Sequence, residues 1–255
     1  EPKIHAERIL ELVKLYNSDQ TSYYRSSEVE AVIHKALNYW FTAKPVCLNW
    51  WYNQIGIPKT LGTVFILFEK QLSPVEKQNA ITVMENAKFG MTGQNKVWLA
   101  GNVMMRALLQ NDYELVKMAR DTIASEIVTG GVEGIKDDWC FHQHGAQQQF
   151  GNYGLSFVSG MSFFSGLFSG TSLAFDDKQL SILSALIDKG YRWVIWKGMM
   201  DVNALGRQLF HHAPVHKALS LAFAASELGG GESDECVAVA TALLRDNYPA
   251  PAVNV

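Results

Sequence analysis

Apolar residues recur three or four positions apart along nearly the whole chain, and this spacing constrains the fold more than any other feature. In the first such segment, residues 4–16, the apolar side chains include Ile9, Leu10, Leu12, Val13 and Tyr16. The alternation that marks a strand is hard to find, and no Asn-Gly or Asp-Gly hairpin signal occurs. Because an α-helix repeats about every 3.6 residues, the sequence predicts an all-α fold of helices paired antiparallel.

Residues that cap helices refine where the individual helices begin. Ser27 is expected to cap the second helix, and Ser73 followed by Pro74 is typical of a helix start. The glycine pair at 130–131 and the three glycines at 229–231 predict turns, and the prolines at 249 and 251 predict the end of the helical region. The predicted helices are 4–16, 27–41, 60–71, one opened by Ser73, 96–109, 112–127, 155–169, 177–196, 212–228 and 233–246.

The composition indicates a globular protein with a substantial core, since 48% of the 255 residues are hydrophobic and 18% are charged. The formal net charge is −3 and Lys and Arg are dispersed, which argues against a general nucleic-acid-binding protein. A local basic pocket for an acidic ligand remains compatible with this charge. Cys47, Cys140 and Cys236 form no CxxC pair, so we expect three buried thiols rather than a zinc or redox motif.

No charged residue lies between Trp139 and Phe175, and the part from Tyr153 onward could be mistaken for a membrane span. Glycines and serines recur there three or four positions apart. That spacing suits a helix packed closely on its neighbours. We therefore interpret this part as a buried helix of a globular domain.

The segment at 137–153, DDWCFHQHGAQQQFGNY, concentrates polar groups within apolar surroundings. His142, His144 and Tyr153 can each exchange a proton or a hydrogen bond. Polar groups are costly to bury and tend to be kept where they bind or react, so the segment predicts a site for a polar ligand. Each residue alone also has a common structural alternative, a satisfied histidine or a tyrosine packed with its hydroxyl bonded.

Several motifs, in a fixed order, resemble those of one enzyme family. They are NWWYNQIGIPKTLG at 49–62, TGQN at 92–95, DDWCFHQHGAQQQFGNYG at 137–154 and GRQLFHH at 206–212. Together they resemble polysaccharide lyase family 8, which contains hyaluronate, chondroitin AC and xanthan lyases. The resemblance covers the chain from Asn49 to His216.

The resemblance implies a fold and a setting. The fold is an incomplete α/α toroid of antiparallel helical hairpins over residues 1–255, cut from a longer lyase that continues into β-sandwich domains. The implied protein is a monomer that acts on an acidic polysaccharide without a cofactor, and its partners include neither nucleic acid nor membrane. It would be secreted or periplasmic in a bacterium. We expect the 255-residue chain alone to be weak or inactive, because one wall of the cleft would be missing.

The implied reaction is β-elimination at a uronic acid, in which a base removes the C5 proton and the glycosidic oxygen leaves from C4. By the resemblance, Asn95 holds the substrate carboxylate, and His144 contacts that carboxylate or assists proton removal. Tyr153 is the implied base at C5 and acid toward the leaving oxygen. Arg207 would supply positive charge to the tyrosine and orient the sugar. The structural alternatives are a helix cap for Asn95 and a salt bridge for Arg207.

The resemblance also implies a sugar-binding surface. Trp50 and Trp51 match the family's aromatic patch, and adjacent tryptophans cannot both point inward from one helix face. Asn49 and Gln54 are expected to line the same wall. His211, an expected substrate contact, stands where many members carry a second arginine. Since histidine lacks the two-pronged grip and fixed charge of arginine, the choice of polysaccharide stays open.

Alternatives remain open from the residues alone. A metal site would use the HxH of His142 and His144 or the helical spacing of His212 and His216, although no HExxH motif occurs. A glycan-binding module without catalysis would use only the paired tryptophans. A glycoside hydrolase would need two carboxylates, and the candidates are Glu133, Asp137 and Asp138.

Overall fold

The structure, a computed structural model, describes residues 1–229 and 234–247. The chain divides into two compact units. The first comprises Glu1–Met91 and Trp98–Ile123, and the second comprises Thr92–Val97 and the chain from Ala124 onward. The single domain expected over 1–255 stays a prediction. The turn predicted at 229–231, apart from Gly229, and the end predicted at 249–251 lie outside the described residues.

Ten α-helices account for most of the described residues, which confirms the all-α prediction. They are α1 (Pro2–Asn17), α2 (Ser27–Ala43), α3 (Ile57–Leu67), α4 (Pro74–Met84), α5 (Gly93–Gln110), α6 (Tyr113–Ala124), α7 (Leu155–Phe168), α8 (Asp177–Ala185), α9 (Ala213–Gly229) and α10 (Asp234–Asn247). The described strands form two short antiparallel hairpins. They are β1 (Gly134–Ile135), β2 (Phe141–His142), β3 (Ile195–Trp196) and β4 (Met199–Met200).

Two helix starts show how serine side chains set the boundaries. Ser26, not Ser27, caps α2, because its side chain accepts a hydrogen bond from the Val29 N–H at 3.4 Å. The prediction of Ser27 is therefore wrong by one residue. Ser73 caps α4 as predicted, and the Glu76 carboxylate reciprocates by accepting from the Ser73 N–H at 2.9 Å. Such a cap contributes about 1 kcal/mol.

The core of the first unit forms where the apolar faces of α1 to α4 meet. In this cluster α1 packs against α2 and α3, and α4 packs against the same two helices. The aromatic rings of Phe65 and Phe68 on and after α3 are fully buried there. Other fully buried members are Ile9, Val13, Ile33, Leu37, Leu61 and Val64.

In the second unit, α7 packs against α9, as its small residues predicted. The Ser162 hydroxyl on α7 donates to the Ala224 carbonyl on α9 at 2.9 Å, a contact that needs close backbones. α7 has 14 residues, and no helix within 1–229 and 234–247 is long and apolar enough to cross a membrane. The three cysteines are free, and only Cys236 is fully buried, so the expectation of three buried thiols is confirmed for that residue alone.

The helix predicted over 177–196 is a regular α-helix only in its first half. α8 ends at Ala185, a π-helical turn, Leu186–Gly190, and a 3-10 helix, Tyr191–Val194, follow, and the prediction is wrong at the last two residues, which form β3. A side chain at Gly190 would meet the Trp139 carbonyl oxygen at 2.3 Å, so the chain passes that carbonyl only as glycine. Lys197 and Gly198, both with positive φ, then reverse the chain between β3 and β4.

Candidate active site

Tyr153 lies on a widened helical turn that opens α7. This π-helical turn, Phe150–Gly154, is called the tyrosine turn below. Its glycines allow close contacts, since a side chain at Gly151 would lie 2.6 Å from the Ala204 carbonyl oxygen. The Tyr191 hydroxyl donates to the Phe150 carbonyl at 2.9 Å, and burial raises the pKa of this hydroxyl, which keeps it a donor. Single π-helical turns inside helices are frequent at functional sites.

Three of the predicted catalytic side chains meet at this turn. Tyr153 is only 6% exposed. The Arg207 guanidinium donates from Nη2 to the Tyr153 hydroxyl oxygen at 3.2 Å, and its carbon lies 5.8 Å from the centre of the tyrosine ring. The His144 ring stands edge-on to the same ring, with centroids 5.0 Å apart. A cation, an imidazole and a phenol thus share one place, although they are far apart in the sequence.

His144 occupies a turn that its own backbone disfavours. Its φ is 58° and that of Gly145 is 73°, so a non-glycine residue is held in the left-handed region. Such a conformation costs on the order of 1–3 kcal/mol and persists only where surrounding contacts impose it. One such contact is the pairing of His142 with Gly134 in the β1–β2 hairpin, which fixes the backbone two residues before His144. The Gly145 N–H supplies another by donating to the Glu133 carboxylate at 2.9 Å.

Glu133 and Gln143 join the histidine turn to the start of α5. The Glu133 carboxylate also accepts from the Thr92 hydroxyl at 2.5 Å and from the Gln143 amide nitrogen. The Gln143 amide oxygen accepts from the Gln94 N–H at 2.9 Å. From the sequence, Glu133 is a candidate only for a hydrolase carboxylate, and Gln143 is not marked as a functional residue. The one available signal for Gln143 was its place between two histidines.

Asn95 lies in the first turn of α5, within the helix rather than at its cap. It is 7% exposed, and its amide oxygen has no hydrogen-bond partner among the described residues. A buried polar atom left unpaired costs about 1–3 kcal/mol, so this amide oxygen can accept a hydrogen bond from a bound ligand at a net gain. Gly93 allows the helix to start here, because a side chain there would lie 2.5 Å from the Gln143 amide oxygen.

Other buried amide atoms near these segments also lack partners within the described residues. They belong to Gln94, which precedes Asn95, and to Gln149, which precedes the tyrosine turn. Glutamine and asparagine amides offer both donors and acceptors. The segments that hold Asn95 and Tyr153 therefore carry unused hydrogen-bonding capacity, as a site for a hydroxyl-rich or carboxylate-bearing ligand requires.

The predicted sugar-binding residues of the first unit differ in exposure. Trp50 is 49% exposed, whereas Trp51 packs edge-on against Trp98 with ring centroids 5.4 Å apart. The Asn49 side chain accepts from the Trp51 N–H at 2.9 Å, so it helps to begin the helical backbone here. Gln54 is exposed on another π-helical turn, Tyr52–Gly56. Asn49, Trp50 and Gln54 are therefore exposed to a ligand, whereas Trp51 is half-buried.

The histidines of the metal alternative lie in two groups. His211 and His212 have ring centroids 3.7 Å apart, His216 lies 6.0 Å beyond His212, and all three are exposed. His142 instead contacts the Cys140 sulfur through Nε2 at 3.2 Å. Across residues 1–229 and 234–247, no three His, Cys, Asp or Glu side chains converge as a metal ion would need.

Two carboxylates of the hydrolase alternative, Glu133 and Asp138, serve as hydrogen-bond acceptors. Glu133 accepts hydrogen bonds from three groups. Hydrogen bonds from Cys140 lower the pKa of Asp138, whereas a glycosidase acid needs a raised one. Burial and Asp138 together raise the pKa of the Cys140 thiol to about 12, so this cysteine is no activated nucleophile.

Comparison with known proteins identifies the family. The model of the N-terminal alpha-helical domain of polysaccharide lyase family 8 matches residues 2–226. The chain therefore belongs to polysaccharide lyase family 8. This membership confirms the family resemblance and, with the structural matches that follow, the prediction of an α/α toroid fold.

Relatives within family 8 are longer proteins. Chondroitinase-AC of Pedobacter heparinus is 29% identical over 211 residues, which cover 81% of this chain and 30% of that protein. Xanthan lyase of a Bacillus species is 26% identical over 215 residues, covering 80% of this chain and 23% of that protein. The chain thus spans less than a third of either relative.

Solved structures of family 8 enzymes superpose on nearly the whole chain. A chondroitinase AC lyase structure has a TM-score of 0.84 at 26% identity and covers 98% of this chain, which spans 38% of that structure. A Paenibacillus xanthan lyase structure has a TM-score of 0.83 at 22% identity and covers 96% of this chain, which spans 24% of that structure. The helical fold is therefore the one found in these lyases.

Proposed function

We propose that this chain is the helical catalytic part of a lyase that cleaves a uronic-acid-containing polysaccharide by β-elimination. The product would carry a 4,5-unsaturated uronate. The observation that carries the proposal is the meeting of Tyr153 with Arg207 at 3.2 Å and with the His144 ring at 5.0 Å. The names of the relatives, chondroitinase-AC and xanthan lyase, support the same reaction class.

The first obstacle in this reaction is the charge of the substrate. The C5 proton is barely acidic while the neighbouring carboxylate is negative, because its removal adds a second charge to the same group. Preorganised donors near that carboxylate relieve the build-up of charge. In this proposal the NH2 of the buried Asn95 amide and the exposed His144 ring beside Tyr153 supply those donors.

Tyr153 would act first as a base and then as an acid. Its phenolate takes the C5 proton, the C5–H electron pair forms the C4–C5 double bond, and the C4–O bond breaks. The departing oxygen keeps its electron pair and takes the proton from the Tyr153 hydroxyl, which restores the phenolate. The Arg207 N–H that donates to the Tyr153 oxygen stabilises that phenolate, and the low exposure of Tyr153 excludes water.

The substrate is proposed to be an acidic polysaccharide of the glycosaminoglycan or xanthan kind. Trp50 offers an exposed ring on which a sugar can stack. His211 is also exposed and, with His212, presents imidazoles where an arginine would hold a fixed charge. We propose that the enzyme works outside the cytoplasm, as a monomer, and that domains beyond this chain complete the cleft.

The decisive assay separates elimination from hydrolysis and from simple binding. The full-length protein is mixed with hyaluronan, chondroitin, xanthan and alginate in turn. A lyase produces ultraviolet absorbance from the conjugated unsaturated uronate on at least one of them. New reducing ends without that absorbance would indicate a hydrolase, and retention on a glycan column without cleavage would indicate a binding module. Either of those results would contradict the proposed function.

Replacing the two adjacent tryptophans one at a time is expected to give different results. Trp50→Ala should raise KM about tenfold with little change in kcat, because a stacked ring contributes about 1.5 kcal/mol of uniform binding. Trp51→Ala should instead lower the free energy of unfolding by about 3 kcal/mol, because its ring packs in the core with Trp98. Steady-state kinetics and denaturant unfolding measure the two effects. A wild-type KM in Trp50→Ala would remove Trp50 from the sugar-binding surface.

A further inference from the structure

A lysine interrupts the apolar face of α9. Lys217 is 6% exposed, and the residues one turn before and after it, Ala213 and Leu221, are fully buried. Burial lowers the pKa of this ammonium, since a charge loses its hydration there. Burying an apolar residue at such a position would cost less free energy than burying a charge. A lysine there therefore indicates a specific role.

The contacts of Lys217 point to that use. Its ammonium donates to the Gly151 carbonyl within the tyrosine turn, and to the Gln208 side-chain oxygen at 2.6 Å. Gly151 precedes Tyr153 in that turn, and Gln208 directly follows Arg207. No carboxylate lies within ion-pair distance of this ammonium among the side chains that the structure describes. The lysine thus connects the two segments that carry the phenol and the guanidinium.

The segment around Arg207 needs such an anchor. It follows a short 3-10 helix, Val202–Ala204, and has no regular structure between that helix and α9. Arg207 and Gln208 are both exposed, so core packing does little to fix their positions. Gly206 adopts a φ of 66°, which further loosens the backbone restraint at this point. The bond from the buried ammonium to Gln208 is a direct tie from this segment to the protein interior.

We propose that Lys217 is a positioning residue that holds the Arg207 segment against the tyrosine turn and thereby maintains the Arg207–Tyr153 hydrogen bond. In this role Lys217 does not contact the substrate. Its kinetic consequence rests on the proposed lyase function, whereas the structural tie does not depend on any activity.

The tie is tested first without an activity readout. Lys217→Met in the full-length protein keeps an unbranched side chain of similar length but removes the charge and the donors. Hydrogen exchange followed by mass spectrometry is expected to speed up in the tyrosine turn and at 206–208, with exchange elsewhere unchanged. Lys178→Met, at an exposed lysine of α8, is the matched control and should change neither segment. Unchanged exchange in Lys217→Met would overturn the proposal.

The role in positioning is tested by kinetics. Lys217→Met is expected to lower kcat about 10- to 100-fold while KM changes less than about threefold, because small misplacements of catalytic groups slow the chemical step. A wild-type kcat together with faster exchange would show that Lys217 holds the two segments together without positioning the catalytic groups. That result would also overturn the proposal. If the wild-type protein produces no unsaturated product, the proposed function is wrong. The hydrogen-exchange result still tests whether Lys217 connects the tyrosine turn to the Arg207 segment.

A second variant covers the case in which Lys217→Met unfolds. Gln208→Ala, at an exposed position, removes the acceptor on the Arg207 segment and leaves the bond to Gly151 in place. It is expected to lower kcat by a smaller factor without changing the melting temperature. Where Lys217→Met folds, the double variant should be no slower than Lys217→Met alone, because both changes break one connection. Wild-type kcat in Gln208→Ala, or fully additive losses in the double variant, would contradict the shared connection.

Discussion

Tyr153→Phe in the full-length protein is expected to lower the rate of elimination by at least about 10³-fold. A positioned acid or base contributes roughly 10²- to 10⁴-fold to a reaction, and Tyr153 is proposed to serve as both. The phenylalanine ring can still pack edge-on against His144, so the substitution removes the hydroxyl and little else. The rate is measured from the ultraviolet absorbance of the unsaturated product.

Folding should survive the loss of this hydroxyl. The hydrogen bond from Arg207 is lost at a net cost of about 1 kcal/mol. Circular dichroism and a thermal melt check that expectation. Tyr23→Phe, at an exposed tyrosine of the first unit, is the control for removing a tyrosine hydroxyl elsewhere and should keep wild-type activity. Elimination at the wild-type rate by Tyr153→Phe would remove Tyr153 from the mechanism.

Asn95→Ala is expected to separate activity from stability. Loss of one preorganised donor at the site of developing charge costs about 10²- to 10³-fold in kcat. Stability should change little, because the amide oxygen that is removed has no partner among the described residues. Replacing Asn95 by aspartate should be at least as harmful to kcat, because a second carboxylate would repel that of the substrate.

Asn102→Ala is the matched comparison for Asn95. Asn102 is also a buried asparagine of α5, but its amide donates to the Ile55 carbonyl at 3.0 Å. Its loss should leave that buried carbonyl unpaired and lower the free energy of unfolding by about 1–3 kcal/mol, with little effect on kcat. Denaturant titrations and initial rates of both variants supply the comparison. A kcat for Asn95→Ala within about threefold of wild type would exclude Asn95 from charge stabilisation, since a lost donor costs far more.

The helices were largely predictable because their signals are local. Apolar spacing located α1 to within two residues at either end, and the Ser73-Pro74 pair identified the start of α4. The β3–β4 hairpin was not predictable in this way, since apolar residues at helical spacing continue into it. Before this hairpin, Gly190 passes close to the Trp139 carbonyl, and these two residues are far apart in the chain.

The candidate site shows the same division between motif and framework. Asn95, His144, Tyr153 and Arg207 were named from short motifs that resemble those of family 8, and their proposed roles remain to be tested. The structure adds that three of these side chains meet. Glu133 and Gln143, which hold the histidine turn, had no motif to mark them as positioning groups. The signal for Lys217 was faint, a single charge on an otherwise apolar helix face.

Two kinds of interaction explain why sequence and structure contribute differently to this protein. Helical periodicity and capping act between residues a few positions apart. The sequence alone therefore predicts an all-α chain and the segment expected to bind a ligand. Hydrogen bonds such as those from Thr92 to Glu133, or from Lys217 to Gly151, form only after distant segments have packed together. The pairing of each buried donor with an acceptor depends on that packing, and the geometry around Tyr153 could therefore be obtained only from the folded molecule.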